Sequence, residues 1–467
     1  MIVGEPSPTT ARPEIDDEAL ATLQPRFRGQ LLRPHDDGYE AARHIWNGMI
    51  DRHPALIARC AGVADVIAAV DFARAKELLV AVRGGGHNVA GNAVCDGGLM
   101  IDLSPMKGIR VDPVARTVRA EGGVTWGEFD HETQAFGLAT TGGQVSTTGI
   151  AGLTLGGGFG WLLRLFGLAC DNLLSADVVT AEGQFLTASA TELPELFWGL
   201  RGGGGNFGVV TSLEYRLHPI GPVLLAGPIV HPLAAAHDAL RFYREFTASA
   251  PDALQVMAVL STSPEGIPLL ALIAVYGGPV PEGERVLQPL RQFGSPAADL
   301  IGPMSYSQVQ RMFDDGFPPG RRHYWKSGFL DGLDDGAIAV LVDHFTRVPS
   351  PHSGVLIEQY GGAVNRVGPS ETAFAHRTSP YNLTILSGWE SPTDDDANIA
   401  WTRALWAAMQ PFTADAVYVN YLGETRDEGQ ERIRAAYGTA TYDRLAALKR
   451  EYDPTNFFRM NQNIAPA

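Results

Sequence analysis

Residues 83–208 hold 27 of the chain's 53 glycines. Glycine at that density is needed where backbone passes against backbone, turns through positive φ, or closes on a ligand. Three clusters carry the excess. The first is Arg83-Gly84-Gly85-Gly86-His87-Asn88, the second runs from Gly149 to Gly160, and the third is Arg201-Gly202-Gly203-Gly204-Gly205-Asn206-Phe207-Gly208. Apolar runs alternate with them, and no three-residue period accompanies them, which excludes a collagen helix and low-complexity disorder. Successive N–H groups in such loops can converge on an anion. Three loops fit a long ligand carrying a pyrophosphate, whereas one alone would more simply be a turn.

Familiar phosphate and catalytic motifs do not account for them. Gly203, Gly205 and Gly208 match G-x-G-x-x-G, but the segment before them reads as a helix and the segment after them as a strand. That is the reverse of a Rossmann site. No Gly-Lys-Ser/Thr follows the glycines, so a P-loop is absent, and no G-x-S-x-G occurs. His131-Glu132 lacks a second histidine at zincin spacing, and His87 has no partners at ligand spacing, so no metal site is expected. His87 remains as a nucleophilic imidazole inside an anion-binding loop, a good place for attachment to a cofactor.

The chain has 36 basic and 52 acidic side chains and a net charge of −16. That argues against a partner with a phosphate backbone, so no nucleic acid is expected. The longest apolar stretch, residues 269–276, is too short to span a membrane. Residues 1–14 lack a cationic start followed by an apolar core, so no secretory signal is read there and a cytoplasmic protein is expected. Cys60, Cys95 and Cys170 cannot build a disulfide framework and read mostly as buried thiols.

Residues 1–54 read as helices and loops. Residues 55–60, helical spacing over 62–76, and residues 78–82 then form a strand–helix–strand unit ending in the first glycine cluster. Strands are expected at 99–103, 117–120, 176–180 and 209–217, and a helix from Thr125 to Phe136 opened by a Thr125/Glu128 capping box. After Gly221-Pro222 the composition becomes ordinary, and residues 223–415 read as a second α/β unit with a mainly antiparallel sheet. The tail predicts a strand at 417–421, two helices and a polar end.

Taken together, residues 82–88, 97–103, 149–160, 171–183 and 201–211, Tyr418-Val419-Asn420-Tyr421, and residues 452–464 resemble the flavoprotein superfamily of vanillyl-alcohol oxidase and p-cresol methylhydroxylase. Within it the chain looks like the berberine-bridge-enzyme-like FAD-linked oxidases. The resemblance implies an α+β fold. A two-subdomain FAD-binding domain of the p-cresol methylhydroxylase type would occupy 1–220. A substrate domain with an antiparallel sheet would occupy 221–415, and a berberine-bridge-like segment, 416–467, would return to the FAD domain. It also implies FAD bound covalently through His87. Many relatives add a cysteine tether where Val145 stands here, so a single bond is expected. Around the cofactor it implies Arg83, Gly84, Gly85, Gly86, Asn88, Val145, Ser146, Thr148, Gly149, Gly152, Leu153, Gly157, Gly160, Val179, Gly205, Asn206, Gly208, Val210, Asn461 and Asn463. Asn461 and Asn463 could instead cap a final turn.

The expected activity is an oxidase that takes a hydride from a small organic substrate, an aromatic alcohol, amine or natural-product intermediate, and reduces O2 to peroxide. The expected assembly is a monomer or homodimer. The segment Val145 to Leu153 is also similar to that of singly tethered flavin oxygenases of the enterocin pathway. The alternative is therefore a flavin-N5-oxide monooxygenase, with Thr148 and Leu153 lining an oxygen pocket. For the base, period-two geometry puts Leu356, Glu358 and Tyr360 on one strand face, where apolar surroundings would raise the Glu358 pKa; a satisfied structural carboxylate is the other reading. Tyr421, then Tyr418, would contact the substrate hydroxyl or serve as base, or else pack a domain join. Tyr324, Lys326, Gln359 and Trp389 are expected to face the substrate as a mixed aromatic and polar pocket.

Overall fold

Leu56–Arg59, Leu99–Asp102 and Val80–Arg83 are short apolar strands joined by crossovers, and they pair in parallel in that order. The computed structural model describes residues 15–467; the segment read for a secretory signal lies outside them. Helix Val63–Ala75 provides the first crossover, and it buries Val66, Ala69, Val70 and Ala73. Gln30–Leu32 adds an antiparallel edge strand within the segment expected to hold helices and loops.

A second sheet has the order Ile109–Asp112, Thr117–Glu121, Val209–Arg216, Leu173–Val179, Phe185–Ser189, antiparallel throughout. Its core contains Trp126, Phe129, Tyr215 and Phe207. Trp126–Gln134 begins with the expected capping box between Thr125 and Glu128. All three cysteines are buried and unpaired.

The third assembly is an antiparallel sheet of eight strands. Its central run is Leu224–Pro232, Pro268–Tyr276, Leu254–Thr262, Gly354–Gln359, Tyr381–Trp389, Arg322–Leu330. Side chains alternate between its two faces. Val256, Ala258, Val355, Ile357, Leu383 and Ile385 pack under helices Ala236–Ala248, Asp335–Phe345 and Asp395–Met409. Met257, Val259, Leu356 and Leu386 occupy the other face, which turns toward the glycine-rich region.

The tail departs from expectation at one point. Residues 417–421 form no strand; Val419–Tyr421 is a single 3-10 turn. Helices Thr425–Tyr437 and Thr439–Tyr452 follow as anticipated. Among the described residues no helix is long and apolar enough to cross a membrane.

Candidate functional site

The three glycine clusters meet. A Cβ on Gly85 would lie 2.3 Å from the backbone nitrogen of Gly149, and one on Gly149 would lie 2.4 Å from that of Gly85. Only two glycines allow the first and second loops to touch there. The third loop is tied to the second by Gly202 and Gly204, whose N–H groups donate to the Leu155 carbonyl at 3.0 and 2.8 Å. Between them lies a cleft of about 300 Å³, walled on its far side by the large sheet and the tail.

Of the residues expected at the cofactor, Gly84, Gly85, Gly86, His87, Asn88, Val145, Thr148, Gly149, Gly152, Leu153, Gly205, Gly208, Val210 and Asn461 line this cleft. The others stand behind it. Arg83 donates to the Ala42 carbonyl at 2.6 Å. Ser146 donates to Asp314 through its backbone and hydroxyl. Gly157 and Gly160 pack against Phe374 and the Gly142 carbonyl, and Val179 is in the core. Asn206 donates to the Gly203 carbonyl and accepts from the Ile464 N–H. The Asn463 side-chain oxygen is buried without a partner.

A buried ion pair fixes the chain's return to the site. Lys449 Nζ donates to Asp453 at 2.6 Å, the Asn206 carbonyl at 2.7 Å and the Phe458 carbonyl at 2.9 Å. Asp453 in turn accepts the N–H groups of Phe457 and Phe458. Each residue has a full set of partners, the condition under which buried charges are tolerated. The clamp delivers Met460, Asn461 and Gln462 to the cleft wall.

The walls fit a large polar heteroaromatic group with an anionic arm. A Cβ on Gly152 or Gly205 would meet no protein atom, so both glycines leave room on the cleft side. Gln144 Nε2, Asn461 Oδ1 and Gln462 Oε1 belong to lining residues and are buried without a protein partner. Buried polar atoms are seldom left so unless a ligand or water completes them. Among the described residues no lysine or arginine lines the cleft, which leaves backbone N–H groups to receive an anion.

His87 lies where the glycine loops meet the sheet side. Its Nε2 is 2.7 Å from Thr147 Oγ1, and its Nδ1 is 3.4 Å from Thr148 Oγ1. Burial pushes its pKa down to about 3, so the imidazole is neutral and keeps a free lone pair at ordinary pH. The ring stacks on Trp46 at 4.7 Å, and Trp46 stacks in turn on His323 at 4.1 Å. Trp46 lines the cleft, and nothing in the loop-like composition of residues 1–54 marked it.

The acid–base candidates form one buried group. Glu358 is fully buried, and desolvation raises its pKa to about 7. Its Oε2 accepts from Asn382 Nδ2 at 2.8 Å. Tyr421 and Gln144 are its remaining polar neighbours, and both line the cleft. Burial and the adjacent Glu358 hold the Tyr421 phenol above its ordinary pKa, so it stays protonated.

Tyr418 requires a correction. The 3-10 turn sends Tyr421 to the wall and Tyr418 behind it. There the Tyr418 hydroxyl accepts from Gly158 N and Asn420 Nδ2 at 3.0 and 2.7 Å, and its ring stacks on Phe159 at 3.6 Å.

The expected substrate-facing set is displaced by one residue. Trp325, not Tyr324 or Lys326, points into the cleft with its cross-strand partner Leu386. Tyr324 and Lys326 occupy the opposite face and bond Asp427. Gln359 also lies on the helix-covered face, bonded to the Thr247 carbonyl and the Val256 N–H. Trp389 is buried against Asp395. Leu356 also lines the wall, and Phe313, Phe317 and Thr384, which were not anticipated, join it. Leu356 follows from the period that exposed Glu358; Phe313 and Phe317 arrive on an irregular segment that has no periodic signal.

Comparison with known proteins agrees with this geometry. Residues 54–189 match the model of the FAD binding domain, and residues 417–465 match that of berberine and berberine-like proteins. An FAD-linked oxidoreductase of Dictyostelium discoideum is 34% identical over 443 residues, covering 94% of this chain and 95% of that one. The (R)-6-hydroxynicotine oxidase of Paenarthrobacter nicotinovorans is 33% identical over 457 residues, covering 94% and 97%. The crystal structure of 6-hydroxy-D-nicotine oxidase from Arthrobacter nicotinovorans superposes with a TM-score of 0.88 at 30% identity, covering 94% of this chain and 98% of that one. BBE-like 1 of Physcomitrella patens shares the fold, with a TM-score of 0.87 at 23% identity over 96% of this chain and 99% of that one. The chain thus belongs to the berberine-like family of FAD-linked oxidoreductases.

Proposed function

We propose that this chain is an FAD-dependent oxidase that removes a hydride from a small aromatic or alicyclic alcohol or amine and delivers the electrons to O2 as peroxide. The observation that carries this reading is the joining, at one cleft, of an FAD site with a buried Tyr421–Glu358 pair and an apolar aromatic wall. FAD supplies hydride acceptance and re-oxidation by oxygen. The chain supplies the rest. Tyr421 meets the substrate hydroxyl or amine and passes its proton to Glu358, whose pKa near 7 suits a base at neutral pH. Trp325, Phe313, Phe317, Leu356 and Leu386 exclude water around the reacting C–H.

In the same proposal His87 holds FAD through a single covalent bond, with Val145 in place of a second tether. The neutral imidazole and its stacking on Trp46 support it. The nicotine oxidase relatives support amine or alcohol oxidation by oxygen.

The test is made on the purified protein. Flavin fluorescence should survive denaturing electrophoresis and vanish in His87→Ala. Turnover should release peroxide, with no label from oxygen-18 gas in the organic product. A colourless native protein would overturn the proposal, and labelled product would convert it to an oxygenase.

A further inference from the structure

The substrate half of the cleft has an asymmetry of charge. Among the described residues, none of those lining the cleft is lysine, arginine, aspartate or glutamate. Three cations on neighbouring elements are committed elsewhere. Lys326 is held between Asp427 and Glu428 at 2.6 and 2.8 Å on the far face of the sheet. Arg164 donates to the carbonyls of Leu254, Tyr360 and Ala250, and Arg377 pairs with Asp171. His87 is neutral. Glu358 is a buried carboxyl next to the wall, with Tyr421 and Gln144 as its polar neighbours on the cleft side. The wall in front of it is made of the ring faces and edges of Phe313, Phe317, Trp325 and Tyr421 with Leu356 and Leu386.

We infer that the site selects planar aromatic ligands that are neutral or cationic and rejects those bearing a carboxylate or phosphate beside the ring. The inference deepens the proposed function and rests on its substrate site. An anion entering this box would lose its hydration and gain no counter-charge. Gln144 Nε2 offers a neutral donor, which serves a carbonyl or hydroxyl as well as it serves an anion. A cation loses hydration too, but it meets aromatic faces and the Glu358 carboxylate. At an effective dielectric of about 20, a unit charge some 6 Å from Glu358 is favoured or disfavoured by roughly a hundredfold in affinity. The titratable groups facing Glu358 from neighbouring elements are Tyr360, Tyr418 and Tyr421, while Tyr243 lies across the sheet and donates to the Ile357 carbonyl. Burial raises the pKa of all four, so none becomes charged in the neutral range.

Three inert probes of one shape decide the matter: benzamide, benzamidine (a cation at neutral pH) and benzoate. None carries an oxidisable C–H next to its ring. Each is titrated into the flavin-loaded protein, and binding is read from the visible difference spectrum of the flavin. At about pH 8, benzoate should require at least roughly tenfold more ligand than either of the others. At about pH 6, where Glu358 is protonated, the gap should shrink. In Glu358→Gln the gap at about pH 8 should fall to roughly threefold or less. The inference fails if benzoate binds as tightly as benzamide, if Glu358→Gln leaves the gap unchanged, or if none of the three perturbs the flavin. A protein that orders the probes as expected yet releases no peroxide would sink the oxidase proposal and leave this one standing.

Discussion

Replacing Glu358 by glutamine removes one proton-binding site and almost no volume, which makes it a clean test of the buried carboxyl. In the folded protein burial raises the Glu358 pKa from 4.5 to about 7. The unfolded chain releases this proton near the lower value and the folded chain near the higher one. Between them the folded state binds more protons, so stability falls as pH rises through the window. At 1.36 kcal/mol for each unit of displacement, the wild-type protein loses about 3 kcal/mol between pH 4.5 and pH 7 through this group. The Asn382 amide can still pair with the glutamine oxygen. The measurement is urea unfolding of the flavin-loaded proteins at about pH 5, 6, 7 and 8, followed by tryptophan fluorescence. The difference in unfolding free energy should move toward the variant by about 3 kcal/mol from the acid to the alkaline end. Asp130 is also buried, with its pKa raised to about 7 by desolvation, but it contributes equally to both proteins and cancels. A difference that stays constant with pH would show that Glu358 titrates normally, and the assignment of Glu358 as proton acceptor would fall with it.

Three further outcomes follow from the same geometry. Tyr421→Phe should slow substrate-dependent bleaching of the flavin by roughly a hundredfold, with flavin retention on a denaturing gel unchanged; wild-type bleaching rates would remove Tyr421 from the proton path. Gly152→Leu should fold with a wild-type melting profile, because its Cβ meets no protein atom, yet purify with little flavin; full flavin content in that variant would show that the cofactor passes elsewhere. Lys449→Met leaves Asp453 charged, buried and unpaired, and should cost about 3–5 kcal/mol in chemical denaturation. A loss below about 1 kcal/mol would show that the Asp453 carboxylate can reach water.

The glycine clusters were legible because positive φ and backbone contact leave few other residues possible. Gly85 and Gly149 each exclude a Cβ through the other's backbone, a requirement written locally in both loops. The apolar strands were legible for a similar reason, since period two and period 3.6 are properties of a few consecutive residues. His87 could be found because it sits inside such a motif. The substrate wall could not. Which face of Arg322–Leu330 meets the cleft depends on pairing with Tyr381–Trp389, and a change of one residue exchanges Trp325 for Lys326. The 3-10 turn at Val419–Tyr421 separates Tyr418 from Tyr421 in a way no strand period anticipates. Trp46, Phe313 and Phe317 reach the site on irregular backbone from segments far apart in sequence, joined by Trp46 Nε1 donating to the Phe317 carbonyl at 3.0 Å. The glycine loops were readable from the residues alone, because conformational limits act on single positions there. The wall facing the cleft emerged only on folding, because it depends on sheet register and on contacts between distant segments.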